Sequence, residues 1–219
     1  MDKNSILKFF FPPKCMFCGE VLAAKDNCQQ CNDKIKHLKI EEHAREIKHN
    51  CFKNIDKCIS CYYYKDEIRD SILYAKFKSC GSFVEEFLNY TDFDFADFCR
   101  QNNIDEIISM PAHKSKFYTQ EYDLPQQMAK QIVKRYKLKY NKDLVIKIKK
   151  TENQHELGLA QRKENLKGAF VLGEQVKDKN ILIVDDIITT GYSVEEVAKC
   201  LKKGGAATVM AFTFAYNKL

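Results

Sequence analysis

Ile181-Leu182-Ile183-Val184-Asp185-Asp186-Ile187-Ile188-Thr189-Thr190-Gly191-Tyr192-Ser193 is the stretch on which the reading of this chain turns. An unbroken apolar run that ends in acids is what a strand buried on both faces of a parallel sheet looks like. A strand is expected over Asn180–Asp185, then a short loop, then a helix over Val194–Lys203 that buries Val194, Val197, Ala198 and Leu201. Gly204-Gly205 ends that helix. Ligands of open α/β sheets sit at the carboxyl ends of strands. A helix N-terminus offers free N–H groups and a dipole that favours a phosphate. Thr189, Thr190 and Ser193 add hydroxyls, and Gly191 lets the backbone come close.

The two acids would repel a phosphate placed directly against them. They make sense if the ligand also presents neutral donors a few ångströms away, as ribose hydroxyls would. The segment therefore fits a sugar 5-phosphate, with hydroxyls toward Asp185 and Asp186 and phosphate toward Thr189–Ser193. It lacks the lysine of a Walker loop and the glycine spacing of a dinucleotide fingerprint. A plain capped helix start also uses hydroxyls and acids, but two adjacent acids followed by Thr-Thr-Gly exceed what capping needs.

Outward from this stretch, strand and helix patterns alternate. Ile59–Tyr64, Ile104–Met110, Leu144–Ile148 and Thr208–Ala215 read as strands. Glu67–Phe77 and Phe83–Tyr90 read as helices, and Asp123 caps a third with Pro125 in its first turn. The alternation predicts an α/β domain with a mainly parallel sheet over residues 51–219.

Residues 1–50 read differently, as a metal module and a polar, helix-prone linker. Cys15-Met16-Phe17-Cys18 and Cys28-Gln29-Gln30-Cys31 are two Cys-x-x-Cys pairs separated by a short loop. Four thiolates at that spacing complete a tetrahedral zinc site with no open position, so the role is structural. Gly19 suits the tight turn of the first pair. Cys58-Ile59-Ser60-Cys61 has the same spacing, but residues three apart on a strand face opposite ways. Cys51 or a histidine (His43, His49) could complete a second site there. Cys80, Cys99 and Cys200 read as small buried apolar residues.

Composition bounds the rest. The chain has 219 residues, 45% of them apolar, enough for a sizeable core, and a net charge of +6. No apolar run approaches the roughly 20 residues that span a bilayer, so no membrane insertion and a cytoplasmic location are expected. Lys114, Lys116, Lys130, Lys134, Arg135, Lys137, Lys139, Lys142, Lys147, Lys149 and Lys150 share one stretch with only Glu121, Asp123 and Asp143. Phe117, Tyr118, Tyr122, Tyr136 and Tyr140 are interleaved, which suits single-stranded nucleic acid; a solvated lysine-rich face is the plainer alternative.

The Ile181–Ser193 stretch closely resembles the motif by which type I phosphoribosyltransferases bind phosphoribosyl pyrophosphate (PRPP). Thr151-x-x-Gln154, Leu157, Arg162, Asn165 and Gly168-Ala169-Phe170 resemble the stretch before that motif in the ComF family. Phe10-Phe11-Pro12-Pro13-Lys14-Cys15 with the two cysteine pairs is similar to that family's zinc module. Tyr62-Tyr63-Tyr64 and Lys76-Phe77-Lys78 resemble its middle region. The resemblance implies a type I phosphoribosyltransferase-like sheet with helices on both faces, plus a zinc-ribbon-like module, in a protein associated with DNA uptake and competence. It implies PRPP binding by Asp185, Asp186, Ile187, Ile188, Thr189, Thr190, Gly191, Tyr192 and Ser193, with Arg162 as a clamp. Asp185, Asp186 and Lys114 would carry any transfer chemistry, with Mg2+ on the pyrophosphate. A helicase-like competence protein is an implied partner. The family's Arg-Gly-Phe-Asn-Gln-like stretch is replaced by Lys116–Gln126, without arginine or glycine. Lys114 and Lys116 are left there to meet pyrophosphate, as point charges and not as forks.

Overall fold

The computed structural model describes residues 12–22, 27–78, 81–113, 123–149 and 166–218. Its centre is the strand read first. β5 (Asn180–Ile188) lies between β2 (Glu106–Ser109) and β6 (Thr208–Tyr216), and β1 (Lys57–Tyr63) lies outside β6. Every pairing in this four-stranded sheet, ordered β1-β6-β5-β2, is parallel. The expected strand at Leu144–Ile148 is present as β3 (Val145–Lys147), but outside that sheet. It pairs antiparallel with β4 (Phe170–Leu172) in a two-stranded ribbon.

The pleat sorts side chains into two cores. Leu182 and Val184 of β5 join Phe212 and Phe214 of β6 on one face. That face is covered by α2 (Asp66–Lys78), α3 (Gly81–Tyr90), α4 (Phe95–Gln101) and α5 (Leu124–Tyr136). Ile181, Ile183, Val209 and Ala211 point the other way, toward the β3–β4 ribbon and α6 (Tyr192–Lys203). Helices therefore cover both faces, as a parallel sheet requires. α5 starts as its sequence indicates: Asp123 accepts from the Gln126 N–H at 3.2 Å, and Pro125 sits in the first turn. It buries Leu124, Met128 and Ile132. α4 was not anticipated, because seven residues are too few to show a helical period; Asp94 caps it by accepting from Asp97 N–H.

The segment read as a linker is stitched to the sheet. After α1 (Gln29–Ile35) and two single 3-10 turns, Ile40 N–H donates to Cys61 C=O at 2.8 Å and Ile47 N–H to Cys58 C=O at 2.7 Å. Ser60 N–H returns a bond to Arg45 C=O at 3.0 Å. These contacts cover the outer edge of β1, which would otherwise be open for pairing.

Candidate functional site

β5 runs further than its sequence suggests. Asp185 pairs with Thr213, Ile187 with Ala215 and Ile188 with Tyr216, so both acids lie inside the ladder and not beyond its end. Charged residues end an apolar run in sequence, but a neighbouring strand can still hold their backbone. The connecting turn shrinks to Thr189–Gly191, and the helix starts two residues earlier than expected, at Tyr192. Met110 N–H donates to Val184 C=O at 2.8 Å, which brings Pro111–His113 to the same end of the sheet.

Here Asp186 is buried and Asp185 half-buried. The Asp186 N–H donates to Asp185 Oδ1 at 2.9 Å. Lys76 Nζ, from α2, stands 2.6 Å from Asp186 Oδ2. Burial and the adjacent Asp186 charge push the Asp185 carboxyl well above the usual carboxylate range, against the pull of Lys76. Burial works against charge on Lys76, but the two acids hold its ammonium above the ordinary lysine value. Two carboxylates thus share one cation among the described residues, at the strand end where a ligand would arrive.

Gly191 is the N-cap of α6 at φ 71°, a left-handed conformation. A Cβ there would come within 2.7 Å of Phe52 Cε1 and 2.9 Å of Cys51 Sγ. Only glycine fits both demands. The wall it meets is the segment Cys51–Asn54. Cys51 Sγ donates to Thr190 C=O at 3.2 Å. Buried Glu195, in the first turn of α6, accepts from the N–H groups of Lys53 (3.0 Å) and Asn54 (3.1 Å) and from Asn54 Nδ2 (2.6 Å). The turn that would meet a phosphate is therefore braced from behind. Cys51 is no reactive thiol: burial, then the Glu195 charge, pushes it up to about 11.

The second constellation is the cysteine corner. The sulfurs of Cys15, Cys18, Cys28 and Cys31 lie within 4.8 Å of one another, close enough to hold a metal ion. Phe17 N–H points at Cys15 Sγ at 3.4 Å, the backbone-to-sulfur bond of a metal knuckle, and Gly19 takes φ 77° in the turn. The second pair differs from the first, since Cys31 lies in the opening turn of α1. Tyr90 of α3 closes the corner. Its hydroxyl accepts from Cys28 N–H at 3.0 Å and lies 3.5 Å from Cys15 Sγ. Its own carbonyl accepts from Tyr62 Oη of β1 at 2.6 Å. Burial would raise the Cys15 thiol, but the Tyr90 hydroxyl and the N–H groups of Cys18 and Phe17 hold it below the ordinary value.

Residues 125–218 match the phosphoribosyl transferase domain family. DNA utilization protein YhgH of Shigella flexneri is 32% identical over 108 residues, which are 49% of this chain and 48% of that protein. The chain thus spans about half the length of the YhgH relatives it matches. Competence protein F of Haemophilus influenzae is 26% identical over 226 residues, covering 94% of this chain and 98% of that protein. The C-terminal half of the chain is thus similar to a phosphoribosyl transferase domain, and nearly the whole chain is similar to a competence protein. A crystal structure of purine phosphoribosyltransferase from Pyrococcus horikoshii aligns at 20% identity and a TM-score of 0.34, covering 55% of this chain and 66% of the other.

The sites read from sequence divide into three groups. Asp185 to Ser193 form one continuous strand end, turn and helix start, and the four cysteines converge. Lys114 and Arg162 lie outside the described residues, as do Lys116, Thr151, Gln154 and Asn165. Cys58 and Cys61 face opposite cores, and the one group of potential metal ligands among the described residues is the four-cysteine corner. Cys99 is buried and Cys200 half-buried, while Cys80 is outside the described set. Three residues went unread: Lys76, Glu195 and Tyr90. Lys76 did carry a signal, since Lys76-Phe77-Lys78 resembles the family's middle region. Glu195 and Tyr90 reach partners 62 or more positions away, and nothing local marks them. No helix among the described residues is long and apolar enough to cross a membrane.

Proposed function

We propose that this chain binds PRPP with Mg2+ at the carboxyl end of β5. The ribose hydroxyls meet Asp185 and Asp186, and the 5-phosphate meets the amides and hydroxyls of Thr189–Ser193. The observation that carries this reading is the acid pair running directly into a glycine-started helix. One ligand with hydroxyls and a phosphate a few ångströms apart satisfies both ends. Lys114 and Arg162 are the proposed pyrophosphate contacts, Arg162 as a fork and Lys114 as a point charge. In a transfer reaction pyrophosphate would leave C1 while a nucleophile enters from the opposite face. Asp185 and Asp186 would orient the ribose, and Lys114 would neutralise the leaving group. Mg2+ supplies charge neutralisation on the pyrophosphate when bound.

Cys15, Cys18, Cys28 and Cys31 would hold a structural Zn2+, with no position left open for chemistry. Residues 1–50 are then a metal module with its connection, and 51–219 a phosphoribosyltransferase-like domain, in a cytoplasmic protein. Calorimetric titration of PRPP with Mg2+ into the zinc-loaded protein tests the site. Micromolar binding that ribose 5-phosphate only partly matches supports it; no heat with either ligand overturns it.

A second reading is supported by the printed names of the relatives, which speak of DNA utilization and competence. It makes the chain a non-catalytic binder of single-stranded DNA or a scaffold for a helicase-like partner in DNA uptake. Lys130, Lys134 and Arg135 of α5, with Lys137 after it, would supply phosphate contacts. Such binding must weaken steeply with salt, and affinity that ignores ionic strength rules it out.

A further inference from the structure

Of the acid pair at the end of β5, Asp186 is not open to a ribose as it stands. The Asp186 side chain is 5% exposed, and Lys76, 35% exposed, stands against its Oδ2 at 2.6 Å. Lys76 comes from the last turn of α2, 110 positions before Asp186 in the chain. A ribose hydroxyl that is to reach Asp186 must take the position the ammonium now holds. The displaced ammonium has a flexible four-carbon stem and stays at the same strand end. A ribose hydroxyl is neutral and leaves the charge of the two acids unchanged, but it takes the ammonium's place against Oδ2. A pyrophosphate beside C1 of the ribose offers the ammonium several negative charges.

We propose that Lys76 is the residue that makes this site select pyrophosphorylated ribose over ribose 5-phosphate. In the unliganded chain its ammonium is held on Asp186, and on binding it moves from that carboxylate to the pyrophosphate. The inference rests on the PRPP reading of the same site and adds to it a specificity residue. Ribose 5-phosphate must displace Lys76 without offering a replacement partner, so it binds at a disadvantage. PRPP displaces it and then engages it. Among the described residues, Lys76 is the cation paired with this acid pair.

The experiment compares Mg2+-PRPP and ribose 5-phosphate by calorimetry on the zinc-loaded wild type, Lys76→Gln and Lys76→Arg, with thermal melts to confirm folding. Lys76→Gln should lose roughly 10–100-fold in PRPP affinity, as expected for one charge-assisted contact, while ribose 5-phosphate binds as well or better. Lys76→Arg, which keeps a cation on Asp186, should keep the wild-type preference for PRPP within about threefold. An equal loss for both ligands in Lys76→Gln overturns the proposal and leaves Lys76 a support for Asp186. Unchanged affinities overturn it as well. If Lys76→Gln does not fold, a folded Lys76→Arg protein with no preference between the ligands overturns it. A wild type that binds neither ligand sinks the PRPP reading instead.

Discussion

Two buried acid clusters sit at opposite ends of the same pair of strands, and they are built on opposite plans. Glu106 opens β2 and is 1% exposed. It accepts from Lys139 Nζ at 2.5 Å, Lys179 Nζ at 2.8 Å and Asn141 Nδ2 at 3.1 Å. Burial alone would raise its carboxyl, yet the lysine and asparagine donors bring it down to about 2. At the other end two carboxylates share Lys76, and Asp185 is pushed up. One acid with an excess of donors is a finished structural cluster. Two acids with a deficit of donors are finished only by something that brings donors and cations. Burial therefore does not mark a functional site; the sign of the charge imbalance around the buried group does.

The comparison can be broken at either end. Gly191→Ala should have the largest effect, because its Cβ meets both the left-handed φ and the Phe52 ring. Calorimetry should show PRPP affinity down by about 100-fold, near the 2.7 kcal/mol that such a factor represents. Retained binding would mean that the turn is not the phosphate contact.

Glu106→Gln should act the other way round, costing about 2 kcal/mol of stability in a denaturant melt with PRPP affinity unchanged. A loss of affinity there would erase the distinction between the two ends. The wild-type cluster also has a pH signature. The Glu106 carboxyl lies below its ordinary value of 4.5, so its stabilisation is complete above that value. It is lost as pH falls from 4.5 toward about 2, and Glu106→Gln should flatten this part of the stability profile.

The cysteine corner is a third cluster, close enough to hold a metal ion. Tyr90→Phe removes the hydroxyl between Cys28 N–H and Cys15 Sγ. Zinc release to a chromogenic chelator should quicken about 10-fold, the low end for loss of an outer-sphere partner. Unchanged release would leave Tyr90 a packing residue. The smallest effect is the most diagnostic in sign. Asp185→Asn removes like-charge repulsion and should stabilise the free protein by about 0.5–1 kcal/mol while weakening PRPP binding. Destabilisation would show that Asp185 belongs with Glu106 after all.

Much of this was legible in the sequence. Ile181–Val184 announced a central strand because burial on both faces demands an unbroken apolar run. The opposite facing of Cys58 and Cys61 followed from the period of a strand. The cysteine corner followed from spacing, since two Cys-x-x-Cys pairs bring four sulfurs together with little help from the rest of the chain. Other features were misread for identifiable reasons. Asp186–Ile188 reads as loop because charge interrupts the pattern, whereas β6 supplies the ladder that keeps it a strand. Residues 32–50 read as a linker because the partners of Ile40, Arg45 and Ile47, at Cys58–Cys61, are 11–21 positions away.

Most of the elements, the strand–turn–helix motif and the two Cys-x-x-Cys pairs can be read from the chain alone, because each depends on neighbours within a few residues. Only the tertiary structure decided the electrostatics. Lys76 finds Asp186 across 110 positions, Tyr90 finds Cys28 across 62, and Cys51 finds Thr190 across 139. A charge buried among side chains responds to whatever stands within a few ångströms, and chain order does not set that distance.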